Sequence, residues 1–438
     1  MLAAMPDSAP SPVSAGGASA RAGGDACPGT LRLHPADDGA LARVRIPGGV
    51  LDPGRADALL AAAERFGDGE LHLTSRGNVQ LRGLGTGCGG ELAALLTDAG
   101  LLPSAAHERA RNIVASPLAG LDGSPALGAW LGELDRLVCA SPAAAALSGR
   151  FLFALDAGGG DVDALGADVT VIAGGPDALL RIGAEDEVFR VPSSDEAPRA
   201  ALLAAEAFLR AARDFGAWRV KDLPDDVRTE LVRTIGSATG PAVHRPRPRP
   251  RKAAAPAPGP VGTKAIPAPV CTTAALSVDV PLGRLVPAQW RLLTETAKRY
   301  GDELRLTPWR GIIVPGPFPR QEAADALRAL SAAGLITAPD SPWTGVGACI
   351  GHPGCAKSLS DVRAEAGAAV GPPGRLPVYW SGCERRCGHP HGEWIDVVAT
   401  PDGHRISHVR GERREPPTTV RNDDPARLAA AVAEARAL

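Results

Sequence analysis

Two short stretches in the C-terminal third decide how the chain is interpreted: residues 348–355 read ACIGHPGC, and residues 381–390 read SGCERRCGHP. They hold four cysteines in the pattern C-x5-C and then C-x3-C: Cys349, Cys355, Cys383 and Cys387. Glycine and proline surround them, and glycine lets the backbone turn closely around an inorganic core. Thiolates bind iron, and a cubane needs one ligand for each iron corner. The pattern therefore predicts a [4Fe-4S] cluster.

Two alternatives stay open at this point. A structural zinc site also uses four cysteines, but its pairs usually lie about two to four residues apart, so the wider spacing at residues 349–355 is unusual for it. Disulfides need an oxidising compartment. Residues 1–27 lack a basic start and an apolar core, so we expect a disordered tail and no export signal. The remaining cysteines are interpreted as isolated thiols: Cys27, Cys88, Cys139 and Cys271.

The composition excludes some classes of partner. The chain has 438 residues, with 47 Lys+Arg against 49 Asp+Glu and a formal net charge of −2, so no global field favours nucleic acid or a membrane surface. No apolar run reaches the ~18–20 residues of a membrane span. We therefore expect a cytoplasmic protein of several compact units, without a nucleic-acid or membrane partner.

An internal repeat organises the rest of the chain. Residues 41–84 read as a strand, a helix, an alternating strand, a turn and a further strand, and residues 278–315 repeat this order. The intervals Pro47–Arg76 and Pro281–Arg310 both span 29 positions, which matches Arg76 with Arg310. We interpret the chain as pseudo-duplicated.

The segments that follow each repeat mix strands and helices, which indicates an α+β fold. Strands are expected at 110–117, 149–155, 168–173, 376–380 and 394–399, and helices at 53–66, 125–146 and 196–214. Between the halves, residues 244–252 alternate Arg and Pro, which favours an extended linker. We interpret its basic run as a solvated spacer, with contact to an acidic partner as the alternative. The predicted units are a tail (1–27), half-unit 1 (28–103), α+β domain 1 (104–240), a linker (241–269), half-unit 2 (270–338) and a cluster-binding α+β domain 2 (339–438).

These features resemble a known family. The Thr-x-Arg-x-x-x-Gln motif at residues 74–80, the Arg-Asn pair at residues 111–112 and the cysteine pattern are similar to the nitrite and sulfite reductase superfamily, across about residues 28–420. The resemblance implies two ferredoxin-like half-units packed as a pseudo-symmetric pair, together with two larger α+β domains. It also implies a [4Fe-4S] cluster beside a sirohaem.

Within the superfamily, the closer resemblance is to the precorrin-3B synthase family, the monooxygenases of aerobic cobalamin synthesis. It is carried by residues 38–49, 304–311, 354–359 and 387–390. It implies hydroxylation of precorrin-3A by O2 at a bridging carbon, with lactone formation from a ring acetate. The reductases place Lys-x-Lys over their substrate anion, whereas residues 150–152 here read RFL. That difference argues against the alternative, a sirohaem-dependent sulfite or nitrite reductase.

The implied substrate is a tetrapyrrole with a rim of carboxylates, and guanidinium forks pair with carboxylates bidentately. The resemblance places five candidate residues near it: Arg45, Arg76, Gln80, Arg111 and Asn112. Arg150 and His389 are the candidate catalytic residues. Arg150 is the one cation kept at the Lys-x-Lys position, and the imidazole of His389 is expected to tune the cluster or to move a proton.

Dioxygen reacts slowly with closed-shell molecules unless a metal or flavin supplies single electrons. We therefore expect the cluster to serve a second iron centre, either sirohaem or mononuclear non-haem iron with histidine and carboxylate ligands. Candidates for the non-haem set lie near the cysteines: His352, His389, His391 and Glu393. The chain has no flavin or nicotinamide fingerprint, so electrons are expected from an external reductase or ferredoxin.

Overall fold

The computed structural model describes residues 27–248, 255–265, 271–390, 392–411, 413–421 and 424–438. The predicted tail, apart from Cys27, and the middle of the predicted linker lie outside the described residues. Helices pack on four sheets in the described part of the chain, which confirms the α+β class. None of the described helices is long and apolar enough to cross a membrane.

The first half-unit has the order predicted for residues 41–84. Asp52 caps its first helix by accepting a hydrogen bond from the amide of Arg55 at 2.8 Å, and Pro53 occupies the first helical position, where no amide hydrogen is needed. Its elements are β1 (His34–Ala36), β2 (Gly39–Val44), β3 (Val50–Leu51), α1 (Pro53–Phe66), β4 (Leu71–Leu73), β5 (Val79–Leu84) and α2 (Gly89–Asp98).

The first α+β domain follows, and its strands and helices confirm the predicted ones to within a few residues. Its elements are β6 (Ile113–Ala115), α3 (Gly128–Ala140), β7 (Phe153–Asp156), β8 (Val169–Gly174), β9 (Asp177–Ile182), β10 (Glu187–Val191), α4 (Ala197–Ala212), α5 (Asp225–Thr239) and β11 (Ala242–His244). The sheet order is β11-β10-β9-β8-β7-β6.

The second half-unit repeats the first. Its elements are β12 (Gly259–Ala265), β13 (Cys271–Asp279), β14 (Arg284–Leu285), α6 (Pro287–Tyr300), β15 (Leu304–Leu306), β16 (Gly311–Pro319) and α7 (Arg320–Ala332). The second α+β domain contains β17 (Val346–Ala348), α8 (Val362–Ala368), β18 (Val378–Ser381), β19 (Glu393–Thr400), β20 (Gly403–Arg410), β21 (Arg413–Arg414), β22 (Thr418–Arg421) and α9 (Pro425–Ala437).

The duplication extends to the two α+β domains. In the first, β6 pairs with β7 and β7 with β8 in parallel, and β8 then pairs with β9 antiparallel. In the second, β17, β18, β19 and β20 repeat this sequence of parallel, parallel and antiparallel pairing. The loops after β17 and β18, which carry the cysteines, therefore correspond to the loops after β6 and β7.

The two half-units exchange edge strands. β3 of the first pairs with β15 in the sheet of the second, and β14 of the second pairs with β4 in the sheet of the first. One apolar core fills both units, and the buried Trp290 of α6 donates from its indole nitrogen to the carbonyl of Ala56 in α1 at 2.8 Å. Neither half-unit has a complete sheet without the other.

Two parts of the linker predicted at 241–269 form strands. Ala242–His244 extends the first α+β sheet beside β10, and Gly259–Ala265 forms an edge strand beside β13. The carbonyl of Arg245 accepts a hydrogen bond from Arg181 Nη1 at 3.0 Å, so the strand's continuation is also fixed. Pro-rich sequence favours extended chain, and an extended chain is also what a sheet edge accepts.

Candidate functional site

A cationic cavity lies between the first half-unit and the first α+β domain. Its volume is about 230 Å³. Four arginines, two hydroxyl side chains and one thiol line it: Cys27, Arg43, Arg45, Thr74, Ser75, Arg76 and Arg150. In the part of the chain that the structure describes, no acidic side chain lines this cavity. It is therefore suited to an anion.

The carbonyl oxygen of Gly149 positions two of these cations. Arg45 Nη2 and Arg76 Nη1 both donate to it at 3.2 Å. The amide nitrogen of Asn112 also approaches this oxygen, at 3.4 Å. A side chain at this position would clash, because a Cβ atom on Gly149 would lie 2.9 Å from Arg45 Nη2 and 2.8 Å from the Cβ of Cys27. One backbone oxygen thus aims two guanidinium groups, one from the segment after β2 and one from the turn between β4 and β5.

Burial makes the positive charge in this cavity costly. Burial, and next the nearby charge of Arg219, lowers the pKa of Arg76 to about 10. Burial likewise lowers the pKa of Arg43, and its Nε is buried with no hydrogen-bond acceptor among the described residues. A bound carboxylate would supply that acceptor and offset the repulsion between the cations. The cavity therefore fits a ligand with several carboxylates.

Arg150 lies at the mouth of the cavity, where its guanidinium stacks 4.3 Å above the ring of Trp218. Leu152, at the position of the second cation in the reductases, is buried among apolar side chains of the first α+β domain. The amide of Leu152 donates to the buried carboxylate of Asp168 at 2.9 Å, and Arg219 pairs with the same carboxylate. Of residues 150–152, only Arg150 therefore lines the cavity.

Three of the residues predicted to bind the tetrapyrrole do not line the cavity. Arg111 forms a bidentate ion pair with Asp135 of α3 at 2.7 and 2.8 Å and donates to the carbonyl of Leu101 at 3.0 Å. Gln80 is half-buried on β5, opposite Arg43 of β2. Arg111 therefore lies outside this cavity, with its guanidinium already paired with Asp135.

Asn112 is fully buried and holds three elements together. It donates to the carbonyl of Phe151 at 2.9 Å and accepts from the side chain of Asn78 at 3.1 Å. The side-chain oxygen of Asn78 in turn accepts from the amide of Ile46 at 2.9 Å. Asn112 therefore supports the cavity through the Gly149–Phe151 segment and does not itself line it.

Sequence reasoning missed Arg43 and Cys27. Arg43 lies two residues before Arg45, and side chains at alternate positions of a strand point to the same face, so the pattern was available. Cys27 was interpreted as an isolated thiol, and nothing in its local sequence indicates that it lies beside Gly149. Its position follows from tertiary packing.

The four motif cysteines converge at the loops after β17 and β18. Burial raises the pKa of Cys349, and Cys383 and Cys355 raise it further. The pKa of Cys387 is raised by burial and by the other three cysteines. The amide of Gly382 donates to the sulfur of Cys349 at 3.3 Å. The thiols are thus close enough to repel one another once ionised.

The arrangement of the thiols distinguishes among their possible uses. The cysteines whose side chains the structure describes are all free, so these four form no disulfide. No three of their sulfurs lie within 4.8 Å of one another in the described residues. A zinc ion with bonds of about 2.3 Å would hold its sulfurs roughly 3.8 Å apart. The described thiols therefore do not have the spacing of a compact zinc site.

Arginines surround the cysteine loops. Arg363 donates to the carbonyl of Cys349 at 3.1 Å, and burial, with the charges of neighbouring arginines, lowers its pKa to about 10. Arg82 pairs with Asp38 and also donates to the carbonyl of Gly354 at 3.0 Å. Arg363 has no carboxylate partner among the described residues. A buried cation without a counter-ion fits a site that becomes anionic when a thiolate-bound cluster is present.

His389 is exposed and stacks on Trp394, with ring centroids 5.1 Å apart and an interplanar angle of 16°. Its Nδ1 lies 2.8 Å from the carbonyl oxygen of Pro390. His352 is also exposed, whereas Glu393 contacts His408 at 2.8 Å. His391 lies outside the described residues. These residues form no group of three metal ligands in the described chain.

Another candidate metal group consists of Asp68, Glu70 and His72, in the first half-unit. Arg284 of β14 forms an ion pair with Glu70, and Arg363 Nη1 lies 3.5 Å from His72 Nδ1. A histidine that binds a metal through Nε2 normally donates from Nδ1, and a neighbouring guanidinium cannot accept that hydrogen. We therefore interpret this group as an ion-pair network.

The described residues of the second half-unit lack the three cations that correspond to Arg43, Arg45 and Arg76 of the cavity. The pairing of β2 with β5 in the first half-unit has the same register as the pairing of β13 with β16 in the second. In this alignment Arg43 is equivalent to Ser277, and Arg45 is equivalent to Asp279. The turns at residues 74–78 and 307–311 have the same internal pattern of hydrogen bonds. Arg76 in the first turn is therefore equivalent to Trp309 in the second. All three cations are therefore replaced at the equivalent positions of the second half-unit.

The repeats and the wider fold place the chain in a known class. Residues 34–95 and 271–333 match the nitrite/sulfite reductase ferredoxin-like half domain. The structure of Mycobacterium tuberculosis NirA protein has the same fold, with a TM-score of 0.65 and 21% identity over 88% of this chain and 78% of that one. The chain therefore has the nitrite/sulfite reductase-like fold and contains two ferredoxin-like half domains.

Two relatives of different activity resemble most of the chain. A precorrin-3B synthase from Sinorhizobium sp. is 28% identical over 400 residues, which is 87% of this chain and 82% of the relative. A ferredoxin–nitrite reductase from Leptolyngbya laminosa is 25% identical over 400 residues, covering 82% and 76%. Both relatives are oxidoreductases, so the chain is similar to enzymes of that class throughout.

Proposed function

We propose that the chain is a precorrin-3B synthase-like monooxygenase, which uses O2 to hydroxylate precorrin-3A and to form a lactone in cobalamin biosynthesis. The observation that carries this proposal is the cluster of four arginines around one cavity, with no lining carboxylate among the described residues. A tetrapyrrole with a rim of acetates and propionates can occupy several guanidinium groups at once.

The residues of the cavity have separate tasks in this reaction. Arg45 and Arg76 are held by Gly149, so they bind carboxylates without first losing rotational freedom. Arg43 donates from its buried Nε. Arg150 is exposed on Trp218 and closes over the ligand from the cavity mouth. Together they hold the macrocycle in one orientation, which presents one bridging carbon for oxidation.

The cysteine residues supply the second part of the proposal. Cys349, Cys355, Cys383 and Cys387 would hold a [4Fe-4S] cluster, which transfers electrons one at a time when bound. The chain has no nucleotide fingerprint, so an external reductase or ferredoxin would supply these electrons. A second iron, as sirohaem or a non-haem centre, would supply the activation of O2.

A sirohaem-dependent sulfite or nitrite reductase is the second candidate. The observation that favours it is the similarity to nitrite reductase over as many residues as to precorrin-3B synthase. The cavity would then hold the carboxylates of sirohaem, and Arg150 would face the small anion. Burial of Leu152 opposes this candidate, because anion reduction uses cations both to bind the anion and to relay protons.

The test begins with protein purified without oxygen. An iron–sulfur absorption near ~400 nm, matching iron and sulfide, and no tetrapyrrole in an acid-acetone extract support the oxygenase. Incubation with precorrin-3A, a reductant and ¹⁸O₂ should then add labelled oxygen to the product, as measured by mass spectrometry. Stoichiometric extractable sirohaem with turnover of nitrite or sulfite would replace this proposal with the reductase.

We also propose that His389 acts at the cluster loop. Its imidazole lies two residues from Cys387 and stacks on Trp394. A His389→Phe variant preserves the stacking surface and removes both ring nitrogens, so turnover should fall while cluster content is retained. Unchanged turnover in the His389→Ala and His389→Phe variants, with intact clusters, would remove His389 from the mechanism.

A further inference from the structure

Arg310 has a backbone conformation that glycine normally adopts. Its φ is +64°, and Gly77, at the same position of the equivalent turn in the first half-unit, has a φ of +65°. In both turns the amide at this position donates to the carbonyl of the preceding threonine, at 3.1 Å to Thr307 and 3.3 Å to Thr74. The second half-unit therefore keeps a strained arginine where the first uses an unstrained glycine.

The side chain of Arg310 reaches the second cysteine loop. A Cβ atom placed on Gly388, the residue after Cys387, would lie 3.4 Å from Arg310 Nη2 and 2.9 Å from the hydroxyl of Tyr379. That hydroxyl donates to the carbonyl of Cys387 at 2.5 Å. Arg310 and Tyr379 thus both lie beside the loop that carries Cys387.

Arg310 has no carboxylate partner in the described ranges. Arg82 and Arg284, in the same group of arginines, are neutralised by Asp38 and Glu70. Arg363, which donates to Cys349, resembles Arg310 in having no such partner. Two uncompensated cations therefore flank the loops of Cys349 and Cys387. Four thiolates carry more negative charge than the iron–sulfur core carries positive charge, so a bound cluster is their counter-ion.

We propose that Arg310 raises the reduction potential of the cluster and so favours its reduction by an external donor. The inference rests on the proposed function, because it requires a [4Fe-4S] cluster on Cys349, Cys355, Cys383 and Cys387. An electron passes from the donor to the cluster, and the cluster becomes more negative. A partly buried guanidinium stabilises that added charge more than it stabilises the oxidised state. This benefit explains why the strained arginine is kept.

The test measures the midpoint potential of the cluster in the full-length, cluster-loaded protein by a redox titration followed by electron paramagnetic resonance. Arg310→Gln and Arg310→Gly should both shift the potential to more negative values. Arg310→Lys keeps the charge and should retain most of the parental potential. Arg310→Gly also relieves the positive φ, so its melting temperature should be equal to or higher than that of the parent.

Arg136→Gln is the matched control, because Arg136 is an exposed arginine on α3 of the other α+β domain. It removes the same charge and should leave the potential unchanged. Unchanged potentials in Arg310→Gln and Arg310→Gly, with full clusters, would overturn the inference. Loss of the cluster in both variants, with retention in Arg310→Lys, would also overturn it, since the charge would then serve assembly. Absence of a cluster from the parent protein would instead defeat the proposed function.

Discussion

Trp309 occupies in the second half-unit the turn position that Arg76 occupies in the first. The amide of Arg76 lies 3.4 Å from the hydroxyl of Thr74, and the amide of Trp309 lies 3.3 Å from that of Thr307. The indole packs against an apolar cluster of the first α+β domain that includes Leu152. The two turns have the same backbone conformation, and a single side chain decides whether the position lines the cationic cavity or packs against an apolar cluster.

Arg76→Gln should weaken binding of a polycarboxylate tetrapyrrole while leaving the fold stable. Loss of one charge-assisted hydrogen bond costs about 1.5–3 kcal/mol, or roughly 10- to 100-fold in affinity. Titration with uroporphyrin, followed by fluorescence, measures the dissociation constant. Arg136→Gln is the control for a loss of charge elsewhere. Equal affinities in the parent and Arg76→Gln would remove Arg76 from the binding site.

Arg111→Gln should show the opposite pattern. It leaves Asp135 without its bidentate partner, and breaking such a largely buried pair costs about 3 kcal/mol. Urea unfolding should report that loss, whereas affinity for uroporphyrin should stay within about twofold, because Arg111 does not line the cavity. Asp135→Asn should destabilise by a similar amount. A loss of affinity without a loss of stability would indicate that Arg111 binds the ligand.

Gly149→Ala should disorganise the cavity. The new methyl group would lie within 3 Å of both Arg45 and Cys27, so the carbonyl that aims Arg45 and Arg76 must move. We expect affinity for uroporphyrin to fall by roughly tenfold or more. Gly159→Ala is the control, since a Cβ atom at Gly159 meets no other atom within 4 Å. Equal affinity in the two variants would contradict the role assigned to Gly149.

Asp279→Asn should change stability in a pH-dependent way. Burial raises the pKa of Asp279 from 3.8 to about 6, so the folded protein holds this proton more tightly than the unfolded chain does. Stability contributed by the protonated acid is present below about pH 4 and is lost as pH rises to about 6. At pH 7 the variant should be more stable by up to about 3 kcal/mol, with no gain at pH 3.5. Urea titrations at both pH values measure this difference.

The periodic parts of the fold were predictable from the sequence. The helix over 53–66 and the strands that flank it follow from apolar spacing, and the internal repeat follows from two similar motifs. The alignment of the repeats was wrong by one residue. Four residues join α1 to β4 (67–70), whereas three join α6 to β15 (301–303), so Arg76 matches Trp309 and not Arg310. A fixed spacing cannot reveal a deletion inside a turn.

The candidate site was predictable where residues act in short motifs. The cysteine pattern is local, and the structure brings those loops together. The ion pair of Arg111 was not predictable, because its partner Asp135 lies 24 positions away and is brought to the guanidinium by the orientation of α3. The place of Cys27 in the cavity was not predictable either, because it depends on contact with Gly149, which is distant in the sequence. Such pairings are set by packing between elements, which the order of residues does not display.

The exchanged edge strands have a consequence for synthesis of the chain. Glu70 meets Arg284 across 214 positions, at the pairing of β4 with β14. At about 5–20 residues per second, a ribosome takes roughly 10–40 s to cover that interval. During this time the first sheet exposes the edge that Leu285 later covers. Until β14 has been synthesised, chaperones or a second nascent chain can therefore bind to that edge of the first sheet.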